Sequence, residues 1–160
     1  MPVDRTSALA IALGVPVGCA VVGNAVTGDA VTTWYPTLRK SKLVLPLWAF
    51  IPIALLYYLI CGRILYRLLT LDTPAPQRPA GLVLLGGMMV ANEGWNYLFF
   101  GRRSVRAGFL GMIGYVVLTI AVQRQLRRVD RESAQLLLPY VGWMAYDLVY
   151  AYELWRLNRA

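Results

Sequence analysis

Trp143, Asp147 and Tyr150 fall at i, i+4 and i+7, so an indole, a carboxyl and a phenol share one face of a helix through LLLPYVGWMAYDLVYAYELWRLN. A second stripe, Asn92, Trp95, Asn96 and Phe99, keeps the same spacing within NEGWNYLFFGRR, and Glu93, Tyr97 and Phe100 lie beside it. Both stripes sit in long apolar runs. Amides, indoles and carboxyls left facing lipid are costly, so these faces are expected to turn inward, toward partners or a cavity. Two such stripes opposed would enclose flat aromatic walls with few polar anchors, which suits a large, planar, mostly apolar ligand. Asp147 carries the most information, because a carboxyl deep in a span marks a functional site or path. Protonation, or pairing with an arginine inside the bundle, is its structural alternative. For Asn92 and Asn96 that alternative is interhelical hydrogen bonding. If Glu93 faces Asp147, the two carboxyls titrate as a unit.

The elements that must position these residues follow from hydropathy. The chain has 160 residues, of which 58% are hydrophobic and 15% charged, and its mean hydropathy is +0.53. That is more apolar surface than one soluble core can hide, so the chain reads as an all-α integral membrane protein. A span needs about 20 apolar residues. Runs near 7–28, 45–69, 79–101, 105–126 and 134–156 meet that need, which predicts one domain, a multi-pass bundle of five transmembrane helices. The segment 29–44, containing Trp34, Tyr35 and Leu43, is the one connection long enough to cover a cavity. The opening run reads as an uncleaved first span rather than a signal peptide.

The net charge of +8 does not point to nucleic acid. Arg39, Lys40 and Lys42, then Arg102, Arg103 and Arg106, then Arg124, Arg127, Arg128 and Arg131 stand at the ends of apolar runs, where they anchor to lipid headgroups. Lys and Arg fall equally on the two sides, so their bias picks no orientation. The sequence holds no histidine, which removes imidazole ligands and Ser-His or Cys-His catalysis. No metal site and no required cofactor are expected. Cys19 and Cys61 read as small hydrophobes on separate helices. Gly14 and Gly18, Gly87 and Ala91, and Ala107 and Gly111 each have the spacing that lets helices approach closely. These pairs suit packing within the bundle, and Gly87 with Ala91 is the best candidate for a homodimer face. Pro52, within the second run, is expected to kink its helix.

Four stretches in order, GVPVGCAVVG, WYPTLRK, NEGWNYLFFGRR and LLLPYVGWMAYDLVYAYELWRLN, resemble the TspO/MBR family of tryptophan-rich sensory proteins and translocator proteins, or peripheral-type benzodiazepine receptors. Asn92, Trp95, Phe99, Phe100 and Gly101 match its N-x-x-W-x-x-x-F-F-G pattern. Pro139, Tyr140, Trp143, Arg156 and Asn158 match its P-Y-x-x-W and R-x-N positions. The resemblance implies a five-helix bundle, often a homodimer, whose pocket takes porphyrins such as protoporphyrin IX, benzodiazepine-type drugs and sometimes sterols. It implies a pocket between the first, second, third and fifth spans, covered by the long loop.

The departures are specific. In KSKLVLPLWAF, Lys40, Pro46, Trp48 and Phe50 keep the family's pattern, but Ser41, Leu43 and Leu45 do not, and Leu43 stands where relatives have a lid tryptophan. Ala54 stands where the family often has a second pocket tryptophan, linked together with the one at Trp143 to photochemical porphyrin degradation. Asp147 replaces a usual alanine and Ala151 a common asparagine. A carboxyl there disfavours neutral drug-like ligands and favours a cationic or hydrogen-bond-donating one. Val149, Tyr152 and Arg156 also fit a loose cholesterol pattern. The leading expectation is a membrane receptor or binding protein for a porphyrin-like ligand, with Trp143 and Trp95 stacking and Asn92 and Asp147 anchoring. Phe50, Phe99, Tyr150 and Ala54 would complete the wall. The alternatives are a photo-oxidative porphyrin-degrading enzyme and a small transporter using Glu93 and Asp147.

Overall fold

In a computed structural model, which describes residues 3–71 and 76–159, the chain is all-helical, with no strand among the described residues. Helix α1 (Arg5–Thr27) starts where Asp4 accepts the Ser7 amide at 3.0 Å, an N-cap of the usual kind. A short helix α2 (Ala30–Thr33) and a 3-10 turn (Tyr35–Thr37) open the long connection. A second 3-10 turn (Leu47–Ala49) runs directly into α3 (Phe50–Thr70). Helix α4 (Arg78–Asn96) continues into a single π turn (Tyr97–Gly101). Helix α5 (Val105–Val129) is capped by Ser104, and α6 (Arg131–Asn158) by Asp130.

The five long helices close into a ring, α1 on α3, α3 on α6, α6 on α5, α5 on α4 and α4 back on α1. One end of the ring is packed solid. There Ile64, Leu68, Leu85, Met88, Leu126 and Leu137 are excluded from solvent altogether. The polar and aromatic stripes occupy the other end. Outward, Leu13, Val17 and Val21 of α1, Leu55 and Leu59 of α3, and Leu110 and Val117 of α5 are exposed. Water would make such a surface adhesive, whereas hydrocarbon solvates it. Among the described residues, three helical segments are long and apolar enough to cross a membrane: Arg5–Thr27, Leu47–Thr70 and Val105–Val129. Helices α4 and α6 carry the amides, carboxyls and phenols and are less apolar for that reason.

Two expectations about backbone are corrected. Pro52 lies in the first turn of α3, where its missing N–H has no partner to lose, so it has no helix to kink. Prolines inside helices occur instead at Pro16 and Pro139. Gly14 and Gly18 face outward, and a Cβ at either would meet nothing within 4 Å. The close approach of α1 to α3 is made by Gly62, where a Cβ would stand 2.7 Å from the Ala12 carbonyl oxygen. Gly87 likewise opens onto empty space, and its neighbour Ala91 borders an outer groove with Gly94, Gly111 and Gly114.

At the packed end a charged clamp fixes three helices. Asp130 accepts Arg67 Nε at 2.8 Å and Nη2 at 3.1 Å, and also the amide and hydroxyl of Ser133 at 3.2 and 2.5 Å. Glu132 pairs with the same guanidinium. The Arg67 guanidinium holds the Asp130 carboxyl down from the usual 3.8 to about 2. A carboxyl that binds protons less readily folded than unfolded stabilises fully above its unfolded value, and the contribution is lost as pH falls through the folded one. Arg67→Met is therefore expected to cost about 2 kcal/mol, read as a lower Tm in detergent. The wild-type advantage should shrink as pH drops from 3.8 toward about 2. A pH-independent difference would assign the loss to packing.

Candidate functional site

The hollow end of the ring holds a cavity of about 440 Å³, within the range of pockets that enclose a drug-sized ligand. Helix α6 contributes Tyr140, Trp143, Asp147 and Tyr150, one residue per turn of a single stripe. Helix α4 and its π turn contribute Asn92, Trp95, Asn96, Phe99 and Phe100. The π turn adds one residue to the coil, and Phe99 comes out buried while Tyr97 is exposed. Helix α3 contributes Phe50, Ala54, Tyr57 and Tyr58.

The walls are aromatic pairs. Phe50 meets Trp143 edge to face at 5.8 Å and Tyr150 at the same separation. Trp95 and Phe99 stack at 5.2 Å with an interplanar angle of 9°. The Trp95 indole donates to the Gly108 carbonyl at 2.9 Å, so its polar edge is spent on α5 and its ring is presented to the cavity as an apolar wall.

Glu93 does not line the cavity or meet Asp147. It accepts Tyr58 Oη at 2.8 Å, Asn92 Nδ2 at 2.9 Å and Asn96 Nδ2 at 3.0 Å. Its carboxyl lies against Gly23 of α1, where any Cβ would collide with Oε2. The knot joins α1, α3 and α4, and both asparagine amide groups are committed to it. Asp147 differs: it is 8% exposed, it borders the cavity, and no basic side chain lines that cavity among the described residues. Beside it in the cavity wall, one turn back on α6, stands the Trp143 indole.

The long connection closes the cavity by bonding to α6. Tyr35 and Tyr150 share a hydroxyl hydrogen bond of 2.5 Å. Asn158 exchanges two hydrogen bonds of 2.9 Å with the backbone of Arg39. Tyr146 Oη donates to the Leu43 carbonyl at 2.8 Å and accepts the Leu45 amide at 3.2 Å. Trp34 packs edge-on against Phe99 at 5.2 Å. Of the three lid residues singled out from the sequence, Tyr35 alone lines the cavity, and Trp34 backs it. The Leu43 side chain is 57% exposed, so only its backbone takes part. Val149, Tyr152 and Arg156 lie on the outer surface of α6, with Arg156 paired to Glu153.

Several lining residues escape the stripe reading: Tyr57, Tyr58, Asn24 and Thr27, and from α5 Met112 and Tyr115. Tyr57 and Tyr58 follow Phe50 and Ala54 at helical spacing, a signal present in the sequence. Met112 and Tyr115 make α5 a fifth wall where four spans were expected.

The TspO/MBR family model matches residues 12–156. The chain belongs to this family. A TspO/MBR relative from Chlorobaculum tepidum, the tryptophan-rich protein TspO, is 28% identical over 94% of the chain and 95% of its own length. The human translocator protein is 27% identical, covering 94% of the chain and 89% of its own. Protein CrtK of Rhodobacter capsulatus is 27% identical over 89% of each. TspO/MBR proteins are membrane proteins, in accord with the apolar exterior.

Gly23 and Glu93 are expected to be energetically coupled. Gly23→Ala should cost about 1–3 kcal/mol by forcing the carboxylate off its donors. In a Glu93→Ala background it should cost far less, because the obstruction is gone. Thermal unfolding of the two single variants and the double variant checks this; additive losses would mean that Gly23 serves only the helix contact.

Proposed function

We propose that this TspO/MBR chain is a five-span membrane receptor that binds a planar hydrophobic ligand, a porphyrin such as protoporphyrin IX, in the lidded cavity. The observation that carries the reading is the wall. Trp143, Phe50, Trp95 and Phe99 line a cavity of about 440 Å³ whose surface is mostly apolar, and a loop bonded to α6 covers it. Flat rings reward flat ligands, since each stacked pair adds about 1 kcal/mol beyond area burial. Sterols and benzodiazepine-type compounds are further candidates on the same apolar grounds. The five-span reading follows from closure of the ring: α4 and α6 turn their polar stripes inward and need the same thickness of lipid as their neighbours. The groove bordered by Ala91, Gly94, Gly111 and Gly114 would serve a homodimer.

Transport is the second reading, favoured by Asp147, a carboxyl bordering a cavity at membrane depth. Photo-oxidative degradation is less well supported, because Ala54 lines the cavity where a second tryptophan would be required.

Titration of detergent-purified protein with protoporphyrin IX in darkness is expected to saturate, and Trp143→Ala to raise Kd by about five- to tenfold, the equivalent of about 1 kcal/mol. Non-saturating behaviour shared by both proteins would mean partition into detergent and defeat the binding reading. A new absorbance band under light, lost with Trp143, would instead favour the enzyme. Uptake into proteoliposomes abolished by Asp147→Asn would favour the transporter.

A further inference from the structure

We infer that Asp147 selects the charge of the ligand: the cavity takes a planar, mostly apolar molecule that carries a cationic nitrogen at one edge, with Asp147 as its counter-ion. This rests on the planar-ligand reading above and narrows it.

The argument begins with the two buried carboxylates. Glu93 is satisfied within the protein by three donors, which is the usual condition for a buried polar group. Asp147 is as well buried, at 8% exposure against 7% for Glu93. Yet no ion pair reaches it among the described residues, and no lysine or arginine lines its cavity. A carboxylate taken out of water needs a counter-charge or several donors. The protein supplies one flanking indole, so Asp147 either holds a proton or finds its counter-charge in what fills the cavity, and a cationic ligand favours the second state.

The surroundings specify the chemistry of that group. Phe50 stands 5.8 Å from both Trp143 and Tyr150, the residues one turn before and one turn after Asp147 on α6. Tyr57 and Tyr140, 4.6 Å apart, line the cavity too. Ring faces attract cations through their quadrupoles, and a cluster of rings is how proteins hold alkylammonium groups. A carboxylate among five rings is thus a cation site twice over. The same carboxylate repels an acidic ligand edge, so a porphyrin with propionates must direct them away from Asp147.

The test uses one macrocycle in three charge states: protoporphyrin IX as the diacid, its neutral dimethyl ester, and the diamide bearing dimethylaminoethyl arms, cationic at neutral pH. Each is titrated against wild type, Asp147→Asn and Trp143→Ala in darkness, with Tm recorded for every protein. In wild type the cationic form is expected to bind at least tenfold more tightly than the ester. Asp147→Asn should erase that gap and strengthen binding of the diacid. Equal affinity for cation and ester in wild type, or an Asp147→Asn loss shared by all three forms, would overturn the charge assignment. Saturable ester binding weakened by Trp143→Ala would then leave the planar-ligand reading standing. If no form saturates in wild type, both readings fall. Should Asp147→Asn not fold, the order of the three forms in wild type decides alone.

Discussion

A polar side chain buried among apolar helices must find its partner inside the protein, and this bundle is organised around that requirement. Glu93 draws Tyr58 from α3, Asn92 and Asn96 from its own helix, and a side-chain-free surface at Gly23 of α1. Once the carboxylate occupies that corner, the rotation of α4 is set. Asn92, Trp95, Asn96 and Phe99 then face the centre, and the Trp95 indole reaches the Gly108 carbonyl on α5. The cavity is what remains when the polar groups of α4 have been satisfied on one flank and its rings are left facing α6.

The two ends of the ring use different physics. At one end, aliphatic side chains interdigitate and the Arg67, Asp130 and Glu132 clamp ties α3 to the α5–α6 corner. At the other, rings stand apart and enclose space, and the closure is polar: Tyr35 to Tyr150, Arg39 to Asn158, Leu43 and Leu45 to Tyr146. Such hydrogen bonds are individually modest, and the lid adds apolar contact, with Trp34, Tyr35, Leu38 and Val44 packed against Phe99, Tyr150 and Leu154. The lid covers one route to the cavity. The packed end closes the other route.

The periodic part of this arrangement was legible in the sequence. The stripes of α4 and α6 follow directly from helical spacing, and the apolar runs located the long helices to within a few residues. What periodicity does not contain is which face has a neighbour. Gly14 and Gly18 have the same spacing as any packing motif, yet they look outward, while Gly23 and Gly62 make the close approaches. Whether Glu93 faces Asp147 stayed open for the same reason, since finding Tyr58 as its partner requires knowing the order of helices around the ring. Pro52 was misread because the 3-10 turn at Leu47–Ala49 delays the start of α3 by several residues. Leu43 holds the place of a lid tryptophan in the family pattern, but only its backbone holds the lid.

Glu93 and Asp147 also show why a buried carboxyl cannot be interpreted from its type alone. They sit on facing elements, in the same half of the bundle, at nearly equal burial. One is surrounded by donors and braces the fold, and its removal would leave donors from two helices unsatisfied. The other faces a cavity beside the Trp143 indole, with no basic side chain lining that cavity among the described residues. The number of donors around a carboxylate therefore separates an architectural group from one held ready for a ligand. Under the ligand-charge proposal, Asp147 gives the cavity an electrostatic preference that its aromatic walls could not supply.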